Sequence, residues 1–110
     1  MRQLNDSTAA TQLLSNTDVA GGGDCVITIA AAPGERHTID WIKFGYYDTP
    51  AVSTAIVITD GTSTLQAPMT DKGPGQFTYG VRGMQFAVGA AVTVTLEDGG
   101  QVKDLNLQYR

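Results

Sequence analysis

One histidine and one cysteine, His37 and Cys25, are the residues of this chain best suited to nucleophilic or metal chemistry. A zinc or copper site needs several His, Cys or carboxylate ligands at close spacing, and His37 has no second histidine to join it. It alternates with Ile39 and Trp41, a pattern expected of a packed or interface histidine. Cys25 alternates with Ile27 and Ile29, so a buried apolar thiol is expected. A reactive thiolate would need an adjacent base, and none is visible in the sequence. A Ser-His-Asp set is spatial and leaves no mark in spacing, but no Gly-x-Ser-x-Gly elbow is present. Asp48, Asp60, Asp71, Asp98 and Asp104 fall in or beside expected turns, where carboxylates accept from local backbone N–H groups. Asp60-Gly61-Thr62 and Glu97-Asp98-Gly99-Gly100 are the segments nearest to a calcium loop, without its acidic spacing. Gly21-Gly22-Gly23 and Gly73-Pro74-Gly75 lack the Lys-Ser/Thr that follows a phosphate loop. The expectation is therefore no enzyme, no cofactor and no metal. The remaining candidates are aromatic: Trp41, Tyr46, Tyr47, Phe77, Tyr79 and Phe86, a set suited to sugar stacking, to a core, or to a subunit contact.

The elements that must position these residues read as strands. Arg36 to Tyr47 is the longest, and its apolar phase changes from His37, Ile39 and Trp41 to Ile42, Phe44 and Tyr46. A change of face within one strand is what a β-bulge produces, here expected at Trp41–Ile42. The strand is expected at the centre of the core, its first half serving one core and its second half a second surface. Asp24–Ala31, Ser53–Asp60, Thr62–Met69, Gln76–Val81, Ala90–Leu96 and Gln101–Tyr109 supply further strands. Val92, Val94 and Leu96 alternating with Thr93 and Thr95 form the cleanest of them. Ala32-Pro33-Gly34-Glu35 has Pro and Gly at the positions that a type II turn favours. No helical period occurs. The pattern predicts an all-β, jelly-roll-like antiparallel sandwich of about seven or eight strands.

Residues 1–23 differ in being polar with few large side chains. They are read as an extended arm and Gly hinge, with room for a short strand at Thr11–Leu14, and residues 24–110 as the sandwich. Leu4, Leu13 and Leu14 are the expected arm contacts with a neighbour. On this reading, removing residues 1–20 leaves the fold intact.

At 110 residues one domain is expected. Charged residues are 16% against 42% hydrophobic, where an average domain has about 25% charged. That balance suits a module covered by other chains. The net charge is −4 and the seven Lys and Arg are scattered, which argues against nucleic acid, since phosphate binding needs clustered cations. No apolar run approaches the ~18 residues of a membrane span, no signal peptide is apparent, and the single cysteine suits a reducing compartment.

Several segments together resemble a known group. They are Ala32-Pro33-Gly34-x-Arg36-His37, Ile39-x-Trp41-Ile42, the strand ending Asp60-Gly61-Thr62, Gly73-Pro74 and Gly80-Val81-Arg82-Gly83. Val92-Thr93-Val94-Thr95-Leu96 with Gly99-Gly100, and Asp104-Leu105-Asn106-Leu107, complete the set. Over roughly residues 24–110 the chain resembles small β-rich virion proteins of tailed bacteriophages, of the capsid decoration or cement type. The resemblance implies a protein made in the bacterial host cytoplasm and carried on the capsid surface. It also implies the major capsid protein as partner and a homotrimer. Tyr46, Tyr47, Phe77, Tyr79 and Phe86 are the residues expected to supply the subunit contact. Two other readings stay open: a carbohydrate-binding or host-attachment module, and a head-tail or tail subunit.

Overall fold

The computed structural model describes residues 11–18, 22–52, 54–69 and 72–110. Nine strands follow in chain order: β1 (Gln12–Asp18), β2 (Cys25–Ile29), β3 (Thr38–Tyr46), β4 (Thr54–Thr59), β5 (Thr64–Met69), β6 (Gly75–Thr78), β7 (Met84–Gln85), β8 (Val92–Leu96) and β9 (Lys103–Tyr109). They form two antiparallel sheets. One has the order β1-β9-β3-β6, with β7 also pairing β3; the other has the order β2-β8-β4-β5. The fold is an all-β sandwich, as the strand pattern and the absence of a helical period predict.

Alternation decides which side chains meet between the sheets. Cys25, Ile27 and Ile29 of β2, Ile56 and Ile58 of β4, and Val92, Val94 and Leu96 of β8 cover one inner face. Ile39, Ile42, Phe44 and Tyr46 of β3, with Leu105 and Leu107 of β9, cover the other. Each large apolar side chain buried here contributes roughly 1.5–3 kcal/mol over its exposed state. The Tyr46 hydroxyl crosses the core to donate to the Glu97 carbonyl at 2.7 Å and to share a hydrogen bond with the Thr54 hydroxyl at 2.8 Å.

The bulge in β3 lies at Asp40, where the register against β9 shifts between Ile39 and Trp41. This corrects two expectations. The irregularity comes just before Trp41–Ile42. It also keeps Ile39 and Ile42 on the same inner face, so both halves of β3 serve one core. Trp41 is thereby turned outward and half-buried, with the Lys43 ammonium 5.1 Å from its ring centre. The extra residue is held by its side chain: Asp40 accepts from Gln108 Nε2 at 3.1 Å and from Arg110 Nε at 2.9 Å.

The turns behave as their residues dictate. Gly34 has φ +75° and Glu35 N–H donates to the Ala32 carbonyl at 3.0 Å, closing the turn read from Pro33-Gly34. Gly75 is required for a different reason. A Cβ there would stand 2.3 Å from the Phe44 ring, so only a residue without one fits.

The expected arm is divided. Met1–Ala10, including Leu4, lies outside the described residues. Gln12–Asp18 is a strand of the sandwich, paired with β9 over seven positions from Gln12↔Tyr109 to Asp18↔Lys103. Backbone pairing holds it, since only Leu14 and Asp18 of the seven are even half-buried.

Candidate functional site

Among the described residues, the candidate chemical side chains have structural partners. His37 is buried, its Nε2 donates to the Ala30 carbonyl at 2.7 Å, and its ring meets Tyr109 edge-on at 5.8 Å. Cys25 is fully buried and its Sγ–H donates to the Asn16 carbonyl at 3.3 Å. Burial pushes its thiol above the ordinary range, with the Lys103 charge pulling the other way. Asp48 accepts from Thr49 N–H at 2.8 Å and Asp98 from Gly100 N–H at 2.8 Å. Asp60 accepts from the N–H groups of Thr62, Ser63 and Ala87 at 3.0, 2.7 and 3.0 Å. These three donors hold its carboxyl below the usual carboxylate range. They are turn carboxylates, as expected from Asp-Gly segments. Asp71 lies outside the described residues. Asp104 is the second residue of β9, beside the turn before it, and accepts from the Thr17 and Tyr47 hydroxyls instead of from local N–H groups. Among the described residues no cluster of three His, Cys, Asp or Glu side chains is placed to hold a metal ion.

The aromatic set separates into three environments. Tyr46 is 5% and Phe86 6% exposed. Both pack into this chain's own core, which leaves little of either ring for the subunit contact expected of them. Burial raises the Tyr46 hydroxyl's pKa, offset in part by its hydrogen bond with Thr54. Phe77 and Tyr79 are half-buried along one side of the sandwich. Tyr47 is 67% exposed, on the outer face of the first sheet, and its hydroxyl donates to Asp104 Oδ2 at 2.6 Å. Of the leucines expected to contact a neighbour, Leu13 is 69% exposed and available. Leu14 is half-buried against this chain's own core.

The two long sides of the sandwich are unlike. On one side the edge strands β1 and β2 are tied together: Asn16 Nδ2 donates to the Val26 carbonyl at 2.8 Å, and Cys25 Sγ–H reaches the Asn16 carbonyl. On the other side the edge strands are β5 and β6, and a groove of about 210 Å³ opens between them into the core. Ile56, Ile58, Leu65, Ala67, Phe77 and Tyr79 line it, together with Gln66. Phe77 sits between Phe44 at 5.4 Å and Tyr79 at 6.3 Å, an aromatic wall that runs from the core to the surface. Leu65 is 48% exposed at the rim. Burial in this wall raises the Tyr79 hydroxyl's pKa. The sequence singles out Phe77 and Tyr79 as contacts and puts Leu65 and Ala67 on one face of their strand without marking them as contacts. Their alternation along β5 is the signal, since it places both on one face at a sheet edge.

No protein-family model matches the chain. No curated protein matches it either. Among solved structures, the Drosophila NLP core superposes with a TM-score of 0.55 at 14% identity, covering 89% of this chain and 97% of that one. That likeness is one of fold. A CBM36-1 domain of a xylanase from the hindgut metagenome of Trinervitermes trinervoides gives 0.46 at 9% identity, over 91% and 95% of the two chains. The virus-like particle of the extra small virus of the prawn Macrobrachium rosenbergii gives 0.36 at 16% identity, over 99% and 85%.

Proposed function

We propose that the protein is a structural virion component, a capsid decoration protein that associates with copies of itself and stabilises a shell by binding the major capsid protein. The observation that carries the self-association is the apolar groove between β5 and β6. Six apolar residues from both sheets meet there and, among the described residues, no charged side chain lines it. A second copy covering it would bury apolar area without stripping water from a charge. The low charged fraction of the whole chain, 16%, agrees with a surface meant to be covered. The sandwich fold admits ring assembly, since the Drosophila NLP core is described as forming pentamers; three copies are expected here. A protein that binds only the assembled shell stabilises it by mass action.

The test is sedimentation of the full chain, alone and with empty capsid shells. The expected result is an oligomer that co-sediments with shells. A second arm uses a chain lacking residues 1–10, which leaves β1 and its pairing intact. Its shell occupancy is expected to fall if Leu4 is a contact. A monomer that stays in the supernatant overturns the reading.

A further inference from the structure

The outer face of the first sheet carries a second surface, distinct from the β5–β6 groove. Beyond the Asp40 bulge, Trp41, Lys43, Gly45 and Tyr47 point outward, alternating with the core residues Ile42, Phe44 and Tyr46. On β9, Asp104, Asn106 and Gln108 take the same face. Pairing aligns these residues in rows: Gln76, Lys43, Asn106 and Ser15 cross the sheet side by side, and Gly45, Asp104 and Thr17 form the next row. A cleft of about 370 Å³ opens on this face. Tyr47 and Pro74 form its apolar walls, and Lys43, Lys72, Asp104 and Asn106 its polar lining. That size falls within the range of small-molecule clefts, ~300–1,000 Å³.

The Tyr47 ring is held in place although it is exposed. Its hydroxyl donates to Asp104 Oδ2 at 2.6 Å, and Asp104 Oδ1 accepts from the Thr17 hydroxyl at 2.5 Å. This latch fixes an aromatic plane beside a carboxylate, a carboxamide and an ammonium. A fixed exposed ring with donors and acceptors beside it suits a ligand with one apolar face and many hydroxyls. A pyranose has both: its C–H face lies against the ring, and its hydroxyls donate to carboxylate and carboxamide oxygens and accept from ammonium and amide N–H groups. The Asp104 carboxylate among the lysines disfavours a polyanion such as nucleic acid, which would need unopposed clustered cations.

We propose that this cleft binds a neutral saccharide, with Tyr47 as the stacking platform and Asp104, Asn106 and Lys43 as its hydrogen-bonding partners. The site is independent of the β5–β6 groove, so either reading can fail without the other. The experiment titrates the full chain with short neutral oligosaccharides of glucose, galactose, mannose and xylose. Indole emission is the readout, because Lys43 lies both in the cleft and over Trp41. A calorimetric titration runs in parallel. The expected result is saturable binding to at least one sugar. Tyr47→Ala and Asn106→Ala are expected to weaken it about tenfold or more, and Tyr47→Phe, which keeps the ring but loses the hydroxyl latch, to fall between Tyr47→Ala and wild type. Both positions lie on the sheet's outer face, and circular dichroism checks that the variants keep the fold. No binding to any of these sugars, or binding that the two alanine variants leave unchanged, overturns the proposal.

Discussion

The Lys103 ammonium, with no exposure to solvent, lies 2.7 Å from the Asp18 carboxylate and 3.0 Å from the Gln101 carbonyl. This pair joins the last residue of β1 to the first of β9. A buried charge stripped of its partner costs about 3–5 kcal/mol, whereas replacing the charge by an apolar side chain of similar volume is often neutral. Asp18→Ala is therefore expected to lower stability strongly, and Lys103→Met to change it little. Urea denaturation of both variants checks this, and equal losses would refute it. The same pair explains why removing residues 1–20 is not expected to leave the fold intact. The deletion takes away both β1 and the counter-charge of Lys103.

Gly75 and Phe44 make a second prediction. A methyl group at Gly75 would overlap the Phe44 ring, with its nearest atoms at 2.3 and 2.5 Å. Phe44 is 6% exposed and packed at a tilt against Phe77, 5.4 Å between ring centres, so a shift of its ring disturbs the core. Gly75→Ala is expected to cost about 1–3 kcal/mol, the range for overpacking a filled core. Thermal melting measures it, and an unchanged midpoint would show that the ring moves freely.

Much of this architecture is legible in the residues, and the illegible parts have physical causes. Ala32-Pro33-Gly34-Glu35 and Asp60-Gly61 declare their turns through Pro and Gly backbone preferences. Val92 to Leu96 declares a strand through strict alternation. The bulge in β3 is visible as a change of phase, but a phase change does not say which residue is the extra one. Assigning it to Asp40 reverses the side on which Trp41 lies. Of β1 only a short strand at Thr11–Leu14 is legible, and its extension to Asp18 is hidden because backbone hydrogen bonds to β9 place it and its side chains bury little. Lys103 shares the inward phase of Leu105 and Leu107, and only its charge argued for the surface; the partner that permits its burial is 85 residues away. Which aromatics are covered depends on sheet order, and no local spacing encodes that.

Asp60 gives a pH-dependent prediction. Its carboxylate accepts three backbone N–H groups, which lowers its folded-state pKa. A carboxylate whose folded pKa is depressed contributes stability above its unfolded value, near 3.9. That contribution is lost as pH falls through the lower folded value. Wild type is thus expected to melt above Asp60→Ala at neutral pH, and the gap to narrow below about pH 4. A gap of constant size across that range would mean that the hydrogen bonds do not depend on the carboxylate's charge.

Leu65 offers the sharpest test of the β5–β6 groove. It sits at the rim, 48% exposed, so a change there leaves the inner residues Ile56 and Ile58 undisturbed. Leu65→Lys would place an ammonium against Phe77 and Tyr79 of the same groove, and a second copy could cover the groove only by stripping water from that charge. Self-association is expected to weaken at least about tenfold, equivalent to ~1.4 kcal/mol, with the melting midpoint of the isolated chain little changed. Leu13→Lys, at an exposed position on the opposite edge of the molecule, serves as the control. If both variants dissociate the oligomer equally, the contact does not lie between β5 and β6. If neither does, the groove is open to solvent in the assembly and the copies meet through another face.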